Sequence, residues 1–404
     1  MSQMLFLLRG GTSRGCNGRV VRGAASWADQ QVIGELAARG LVVTASRLEG
    51  WRREGLLERH RRRGLGRGRG SVVDAVDPVV VESAAALARH TRQGRDRRLA
   101  VLACFAEAGA PRLSGAVVVP EPPEAAVREA LTWAAATSLS QYLMELARGA
   151  AGRGEEGPDA FYTVAGELVA SRPHHLPPHP GRVRATLWAD EDLPDDGPPP
   201  AAVVHLAAAI GLGPEEVGAD ALAEAFAAMG VFGLTAEDWA RMLGAAELGE
   251  APAVDWSPLG RVTLPLEQAR RASWEELIRA RAVLTGLRPF YALYVMHGLF
   301  MPDTPALAAL RARIDERGLG PLLTQLISID TGPRQFADSL LSCLDPIWHE
   351  LHLALMEQLQ ADSDLFCLPG DDTRATGFME TWIRTLREQT QLARSRTEPR
   401  ETGQ

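Results

Sequence analysis

The sequence predicts a mostly α-helical protein with a basic N-terminal end and an acidic remainder. Leucine and other apolar residues recur every three to four positions along much of the 404-residue chain, a spacing typical of amphipathic helices. Charge is divided unevenly. Residues 1–71 hold 14 Arg and 5 acidic residues, a net charge of +9, whereas the other 333 residues carry a net charge of −17. This division favours an anionic partner for the N-terminal end.

Composition and spacing exclude several classes of protein. No apolar run reaches the roughly 18–20 residues that a membrane span needs. The apolar stretch at the N-terminus is shorter than the roughly 7–15 residues of a secretory signal. The four cysteines lie far apart without a CxxC pair, so neither a disulfide framework nor a zinc ribbon is indicated. We therefore expect a cytoplasmic protein that does not contact membranes.

Two short helices are predicted near the N-terminus. Ser26, with an acidic residue three positions later, resembles a capping box and begins a helix that ends near Gly40. Thr44 suits the N-cap of a second helix, and Gly55 suits the left-handed residue that follows its end. The short segment between them makes a helix-turn-helix outline.

A glycine- and arginine-rich segment follows the second helix. Residues 58–73 read ERHRRRGLGRGRGSVV, with six Arg, four Gly and one acidic residue. Glycine at this density does not sustain a helix, so the segment predicts a β-hairpin with a basic tip. Residues 26–75 are therefore predicted to form a winged helix-turn-helix. The predicted fold class is mostly α, with this winged helix-turn-helix followed by an α-helical C-terminal body.

Residues 43–72, VTASRLEGWRREGLLERHRRRGLGRGRGSV, resemble the N-terminal winged helix-turn-helix of the MerR family. In that family the second helix runs through an aromatic residue and an acidic turn into Gly-Leu-Leu, and a basic wing follows. Residues 51–57 match this signature, and helices predicted at 78–93 and 97–108 match the pair after the family's wing. The sequence departs from the family at Glu49-Gly50, where Arg is usual. The resemblance implies DNA binding.

The predicted DNA contacts lie on the second helix and in the hairpin. Arg neutralises phosphate charge and can pair with guanine through two hydrogen bonds in the major groove. The residues predicted to contact DNA are Thr44, Ser46, Arg47, Arg52, Arg53, Arg61, Arg62, Arg63, Arg67 and Arg69. No catalytic residue, metal or cofactor is predicted.

Helices dominate the predictions beyond the hairpin. They are a helix from Pro78 to about 93, helices over 97–108 and 123–148, one begun by a capping box at Ser273–Glu276, and one over 334–360 with a kink at Pro346. A short ordered piece is expected over 160–170. The predicted division is 1–25 disordered or a mis-annotated start, 26–75 winged helix-turn-helix, 76–150 helical extension, 151–200 linker rich in proline and acidic residues, 201–395 α-helical effector or dimerisation domain, and 396–404 tail.

These patterns predict a DNA-binding transcriptional regulator, nucleoid-associated and not an enzyme. Double-stranded DNA is the expected partner; a homodimer, and a small-molecule or protein effector bound by residues 110–395, stay open. One alternative is an adaptor protein of a mobile-element or phage-defence system. The other is a metal-dependent enzyme with a DNA-targeting head, with metal held by His349 and His352 or by the acidic cluster at 190–196. The histidines of the proline-rich segment 174–179 are a weaker metal candidate.

Overall fold

A computed structural model gives the architecture of the chain. It describes residues 25–60, 63–64, 71–72, 75–91, 96–108, 119–152, 157–171, 199–229, 235–247, 264–291, 312, 333–361 and 373–394. Within these ranges the protein is mostly helical, which confirms the prediction of a mostly α fold. The helices are α1 (Trp27–Ala38), α2 (Ala45–Arg53), α3 (Pro78–His90), α4 (Arg97–Ala108), α5 (Glu124–Ala136), α6 (Leu139–Ala151), α7 (Pro158–Ser171), α8 (Pro200–Gly211), α9 (Pro214–Val217), α10 (Ala219–Ala228), α11 (Ala236–Glu247), α12 (Pro265–Arg271), α13 (Trp274–Tyr291), α14 (Pro333–Ser342), α15 (Pro346–Ala361) and α16 (Thr373–Arg394). Strands β1 (Arg63–Gly64) and β2 (Ser71–Val72) pair between α2 and α3.

The described helices share two hydrophobic cores. The first core is built from α1 to α5 together with α12 to α16. The second core is built from α6, α7, α8, α10 and α11. Helices from the two ends of the chain therefore share one core, and the packing does not follow the sequential division predicted above.

The helix predicted over residues 123–148 is wrong as one element, because the chain breaks it at Thr137-Ser138. The Ser138 hydroxyl accepts a hydrogen bond from the backbone N–H of Gln141 at 3.1 Å and so caps α6. The Thr137 hydroxyl donates to the carbonyl of Trp133 in the last turn of α5, at 2.8 Å. Such short polar side chains compete with the helical hydrogen bonds, and two in succession end one helix and begin the next.

The kink predicted at Pro346 is a complete break. Pro346 is the first residue of α15, where a missing N–H removes no helical hydrogen bond. The carbonyl of Asp345 instead accepts from the N–H of His349 at 2.8 Å. Two helices, α14 and α15, therefore replace the single kinked helix.

Several local predictions are confirmed. Ser273 and Glu276 form the reciprocal capping box at the start of α13: the serine N–H donates to the carboxylate at 2.6 Å, and the glutamate N–H donates to the hydroxyl at 3.2 Å. The Asp77 carboxylate caps α3 by accepting from the N–H of Val79 at 2.9 Å. Both caps depend on residues a few positions apart, which is why the sequence alone could identify them.

Candidate nucleic-acid interface

Helix α1 ends in a tight turn that leads directly into α2. Gly40 adopts a left-handed conformation with φ of 75°, and the N–H of Leu41 donates to the carbonyl of Leu36 at 2.9 Å. This is a Schellman ending, and it reverses the chain within a few residues. Thr44 then caps α2 through its hydroxyl, which accepts from the N–H of Arg47 at 3.3 Å.

Helix α2 ends in the same way. Gly55 has φ of 72°, and the N–H of Leu56 donates to the carbonyl of Trp51 at 2.8 Å. Leu56 and Trp51 are both buried in the first core. The predicted N-cap and C-terminal glycine of this helix are therefore confirmed, and they fix its length at nine residues.

Two short paired strands follow this pair of helices, at the place where the hairpin is predicted. Arg63 pairs with Val72 and Gly64 with Ser71 in an antiparallel register. The Arg63 side chain is exposed. The segment 65–70 that joins the strands lies outside the described residues, as do Arg61, Arg62, Arg67 and Arg69.

One side of α2 faces away from the core. It carries Ser46, Glu49 and Arg53, which are exposed, and the half-buried Gly50. Its single positive charge is matched by a single negative one, so the helix face by itself has no net charge. Most of the positive charge predicted for the interface lies in the hairpin segment.

The prediction that Arg52 contacts DNA needs correcting. Its side chain is only 6% exposed and lies in an ion pair with Asp29, with 2.5 Å between Nη2 and Oδ1. Arg52 follows the buried Leu48 by four residues, which puts both on the inner side of α2. That spacing was the signal that could have predicted its burial.

Arg47 is half-buried, and its side chain contacts two other residues of the folded protein. Its Nη2 donates to the carbonyl of Thr91, just past the end of α3, at 2.6 Å. Its guanidinium also lies over the Trp51 ring, 5.5 Å from the ring centre. The side chain therefore ties α2 to the end of α3.

Arg52 has two partners that the sequence analysis did not identify, Asp29 and His60. Asp29 lies in the first turn of α1, and His60 lies between α2 and the hairpin. His60 Nε2 is 2.9 Å from Arg52 Nη2 and 3.5 Å from Asp29 Oδ1. Burial by itself would raise the pKa of Asp29, but hydrogen bonds from Arg52 and Ser26 and the charge of Arg52 outweigh it and lower that pKa.

A second charged cluster joins α3 to α4. Glu107 on α4 pairs with Arg89 at 3.1 Å and with His90 at 3.0 Å. Burial opposes ionisation of this carboxyl, but the hydrogen bonds from His90 and Arg89 dominate and lower the pKa of Glu107 to about 2. These ion pairs join α3 to α4, and α3 also packs on α1. The cluster therefore stabilises the group of helices to which α2 belongs.

Aromatic and charged contacts join these N-terminal helices to the C-terminal ones. The Phe105 ring on α4 lies 5.4 Å from the Trp274 ring and 6.4 Å from the Phe336 ring, measured between centres. The guanidinium of the buried Arg281 lies 4.4 Å from the centre of the Phe105 ring. Two guanidinium nitrogens of Arg281 also donate to the Glu121 carboxylate, at 2.5 and 2.6 Å. The candidate interface is thus part of a larger packed unit.

The other candidate sites of the sequence analysis gain no support. His349 and His352 lie on α15 and are half-buried. Among the residues that the structure describes, no group of three or more His, Cys, Asp or Glu side chains could hold a metal ion. The acidic cluster at 190–196 and the histidines of 174–179 lie outside those residues.

The two described cysteines are buried free thiols. Cys104 lies on α4, and Cys343 lies in the turn between α14 and α15. Burial raises the pKa of each thiol to about 12. Because the thiolate is the reactive form, neither is suited to act as a nucleophile near neutral pH.

An apolar groove lies between α7 and α8, with a volume of about 390 Å³. Its walls include Val169, Ala170, Pro200 and Val204, and His205 is the one titratable side chain among the residues that line it. The His205 ring also meets the ring of Tyr162 edge to face, with 5.8 Å between centres. The groove has the size of a small-molecule pocket, but its lining does not select a ligand class.

No protein-family profile matches the chain, and neither curated proteins nor solved structures gave a significant match. No helix in the described ranges is long and apolar enough to cross a lipid bilayer.

Proposed function

We propose that this protein binds double-stranded DNA through residues 26–75, which we call the head, and acts as a transcriptional regulator. The observation that carries the proposal is that three features follow one another along the chain. A capped helix α2 with an outward polar face follows a tight turn, and a hairpin in an arginine-rich segment follows it directly. This is the arrangement that the MerR resemblance leads one to expect.

The outward face of α2 is the part that would enter the major groove. Ser46 and Arg53 would reach base edges or phosphates there, while Thr44 at the N-cap would lie near the backbone. Arg52 is no longer part of this set, because it is buried against Asp29. The half-buried Arg47 would support the helix from behind, through its bond to Thr91.

The hairpin segment supplies the charge that α2 lacks. Residues 58–73 hold six Arg and one acidic residue, whereas the outward face of α2 has no net charge. Phosphate contacts contribute affinity without reading sequence, so the hairpin would hold the protein on DNA and α2 would choose the site. The remainder of the chain, with its net charge of −17 from residue 72 onward, would be repelled by DNA and would restrict binding to the head.

Selection of preferred sequences from a pool of random DNA duplexes tests this division of roles. The intact protein should enrich one sequence. Arg53→Ala should lose preference at one base position, since a good contact between Arg and guanine discriminates by about 1–3 kcal/mol. Arg384→Ala, on the exposed side of α16, is the matched control and should enrich the same sequence as the wild type.

Two outcomes of this selection would contradict the proposal. If the intact protein enriches no sequence, a site-specific regulator is ruled out. If it binds RNA and DNA with equal affinity, the adaptor alternative gains over transcriptional regulation.

A further inference from the structure

We propose that Asp29, Arg52 and His60 form a positioning cluster that fixes the hairpin against α2, so that both can reach the same DNA duplex. The three residues come from three parts of the head: the first turn of α1, the last turn of α2, and the segment before β1. This inference rests on the proposed function. It assigns to these residues an indirect role, because the cluster is buried and does not itself touch DNA.

The geometry makes Arg52 the centre of the cluster. Its Nη2 atom is 2.5 Å from Asp29 Oδ1 and 2.9 Å from His60 Nε2. The exposed fractions of the Asp29 and His60 side chains are 14% and 8%. Glu49 lies 3.7 Å from Arg52 Nη1 but is 67% exposed, so it contributes little. The strong contacts of Arg52 are therefore the two that join α2 to α1 and to the hairpin root.

The chemistry of Arg52 determines the role of the histidine. A guanidinium can only donate hydrogen bonds, so His60 Nε2 must accept, and we assign the ring proton to Nδ1. Nδ1 has no hydrogen-bond partner within the described part of the chain. With this tautomer, Arg52 is the hydrogen-bond donor that holds the His60 ring in place, and Asp29 acts on the ring only through Arg52.

The position of His60 along the chain explains why its contact with Arg52 would affect the hairpin. Leu57, three residues earlier, is buried in the first core, and β1 begins three residues later at Arg63. The chain is thus held at both Leu57 and His60 before it enters the hairpin. The bond from Arg52 therefore adds a point of attachment between Leu57 and the start of β1.

A set of His60 variants tests the inference. His60→Gln keeps an acceptor near the position of Nε2, His60→Ala removes it, and His60→Met fills the space without a strong acceptor. His205→Ala, at a half-buried histidine on α8, is the matched control. Two readouts are needed on the intact protein: affinity for duplex DNA by fluorescence anisotropy, and hydrogen–deuterium exchange of peptides covering β1 and β2.

We expect the Ala and Met variants to bind DNA roughly tenfold or more weakly, the effect of losing one hydrogen bond to a charged group. Hairpin amides should exchange faster in both variants, while the amides of α13 stay unchanged. His60→Gln should restore both readouts, which a simple loss of packing would not allow. If the Ala variant does not fold, the comparison of Met with Gln still decides.

Failure of the inference differs from failure of the proposed function. If all three variants behave as the wild type, or if hairpin exchange rises without any loss of DNA affinity, the positioning role is overturned. If the wild type binds no DNA, the proposed function fails, and with it the DNA-binding part of this inference. Hairpin exchange then still reports whether the cluster holds the hairpin.

Discussion

Two neighbouring arginines of α2 differ in their surroundings, and therefore in their roles. Arg52 and Arg53 are adjacent in the sequence, yet Arg52 is buried against Asp29 and Arg53 is exposed. Composition alone treats them alike. The four-residue spacing from Leu48 predicts that Arg52 is inward, but its partner lies 23 residues earlier, and no local pattern identifies Asp29 as that partner.

Asp29→Asn tests the weight of this ion pair. The change keeps the shape of the side chain but leaves the buried charge of Arg52 without its close counter-ion. Removing one partner of a buried pair typically costs about 3–5 kcal/mol of unfolding free energy. We expect a loss of about 3 kcal/mol, measured by urea denaturation.

A surface pair is the control for that measurement. Glu267 pairs with Arg271 on α12, and both side chains are well exposed. Glu267→Gln should change the free energy of unfolding by less than about 1 kcal/mol. Equal effects of the two substitutions would contradict the buried role of Arg52.

Glu107 gives a pH-dependent prediction. Its pKa is about 2 in the folded protein and near 4.5 when unfolded, so ionisation stabilises the fold at neutral pH by as much as about 3 kcal/mol. That stability is present above pH 4.5 and is lost as the pH falls towards 2. Glu107→Gln should therefore lower the unfolding free energy at pH 7, and its difference from the wild type should shrink on acidification.

The exposed Glu129 provides a comparison. It pairs with Arg97 at the surface and is 57% exposed. Glu129→Gln should have little effect at either pH. A Glu107→Gln effect that stays constant from pH 7 to pH 3 would argue against a lowered pKa.

At the scale of elements, what the sequence could predict depends on how local the signal is. The ends of α2 depend on Thr44 and Gly55, each acting on backbone a few residues away, and both were predictable. The break at Thr137-Ser138 also had a local signal, the two short polar side chains. The apolar spacing of the two helices suggested a single helix instead. The pairing of Arg52 with both Asp29 and His60 needed the folded arrangement of three elements.

Two glycines of the α2 region give a matched pair of substitutions. A Cβ would meet no atom within 4 Å at either Gly50 or Gly55, but only Gly55 has a positive φ. Gly55→Ala should destabilise the protein by about 1–2 kcal/mol, because an L-residue is strained in the left-handed region. Gly50→Ala, inside the helix, should stabilise it by about 0.5–1 kcal/mol. Thermal unfolding measures both, and effects of the same sign would contradict the Schellman ending.

At the scale of the whole molecule, the N-terminal helices share their core with helices that begin at Pro265 or later. Phe105 on α4 packs against Trp274 and Phe336, and the Arg128 Nη1 atom donates to the carbonyl of Ala272 at 2.6 Å. Apolar periodicity predicts which side of a helix is buried but not which helix covers it. This is why the sequence suggested a sequential division that the packing does not follow.

A fragment of residues 25–152 tests the shared core. It keeps α1 to α6 but lacks α12 to α16, so the surfaces of α4 and α5 that these helices cover would face water. We expect the fragment to bind a hydrophobic dye and to lose cooperative unfolding, as measured by circular dichroism. A fragment that unfolds cooperatively with the stability of the full chain would show that the head does not need these helices.

Phe336→Ala in the full chain is the companion variant. Phe336 is buried on α14 beside Phe105. Truncating a buried phenylalanine typically costs about 3–5 kcal/mol. The loss should appear as a single transition at a lower denaturant concentration, because the N-terminal and C-terminal helices unfold together.

The most direct test of DNA binding is fluorescence anisotropy of the intact protein on duplex DNA across a salt series. Arg61, Arg62 and Arg63 are changed together to Ala, and the control changes three exposed arginines of the acidic part, Arg271, Arg384 and Arg387. Each lost phosphate contact should flatten the log–log salt dependence by about 0.9, so the hairpin variant should lose up to about 2.7 in slope while the control keeps the wild-type slope. Absence of wild-type binding at about 50–100 mM salt, or equal flattening in both variants, would contradict DNA binding through the head.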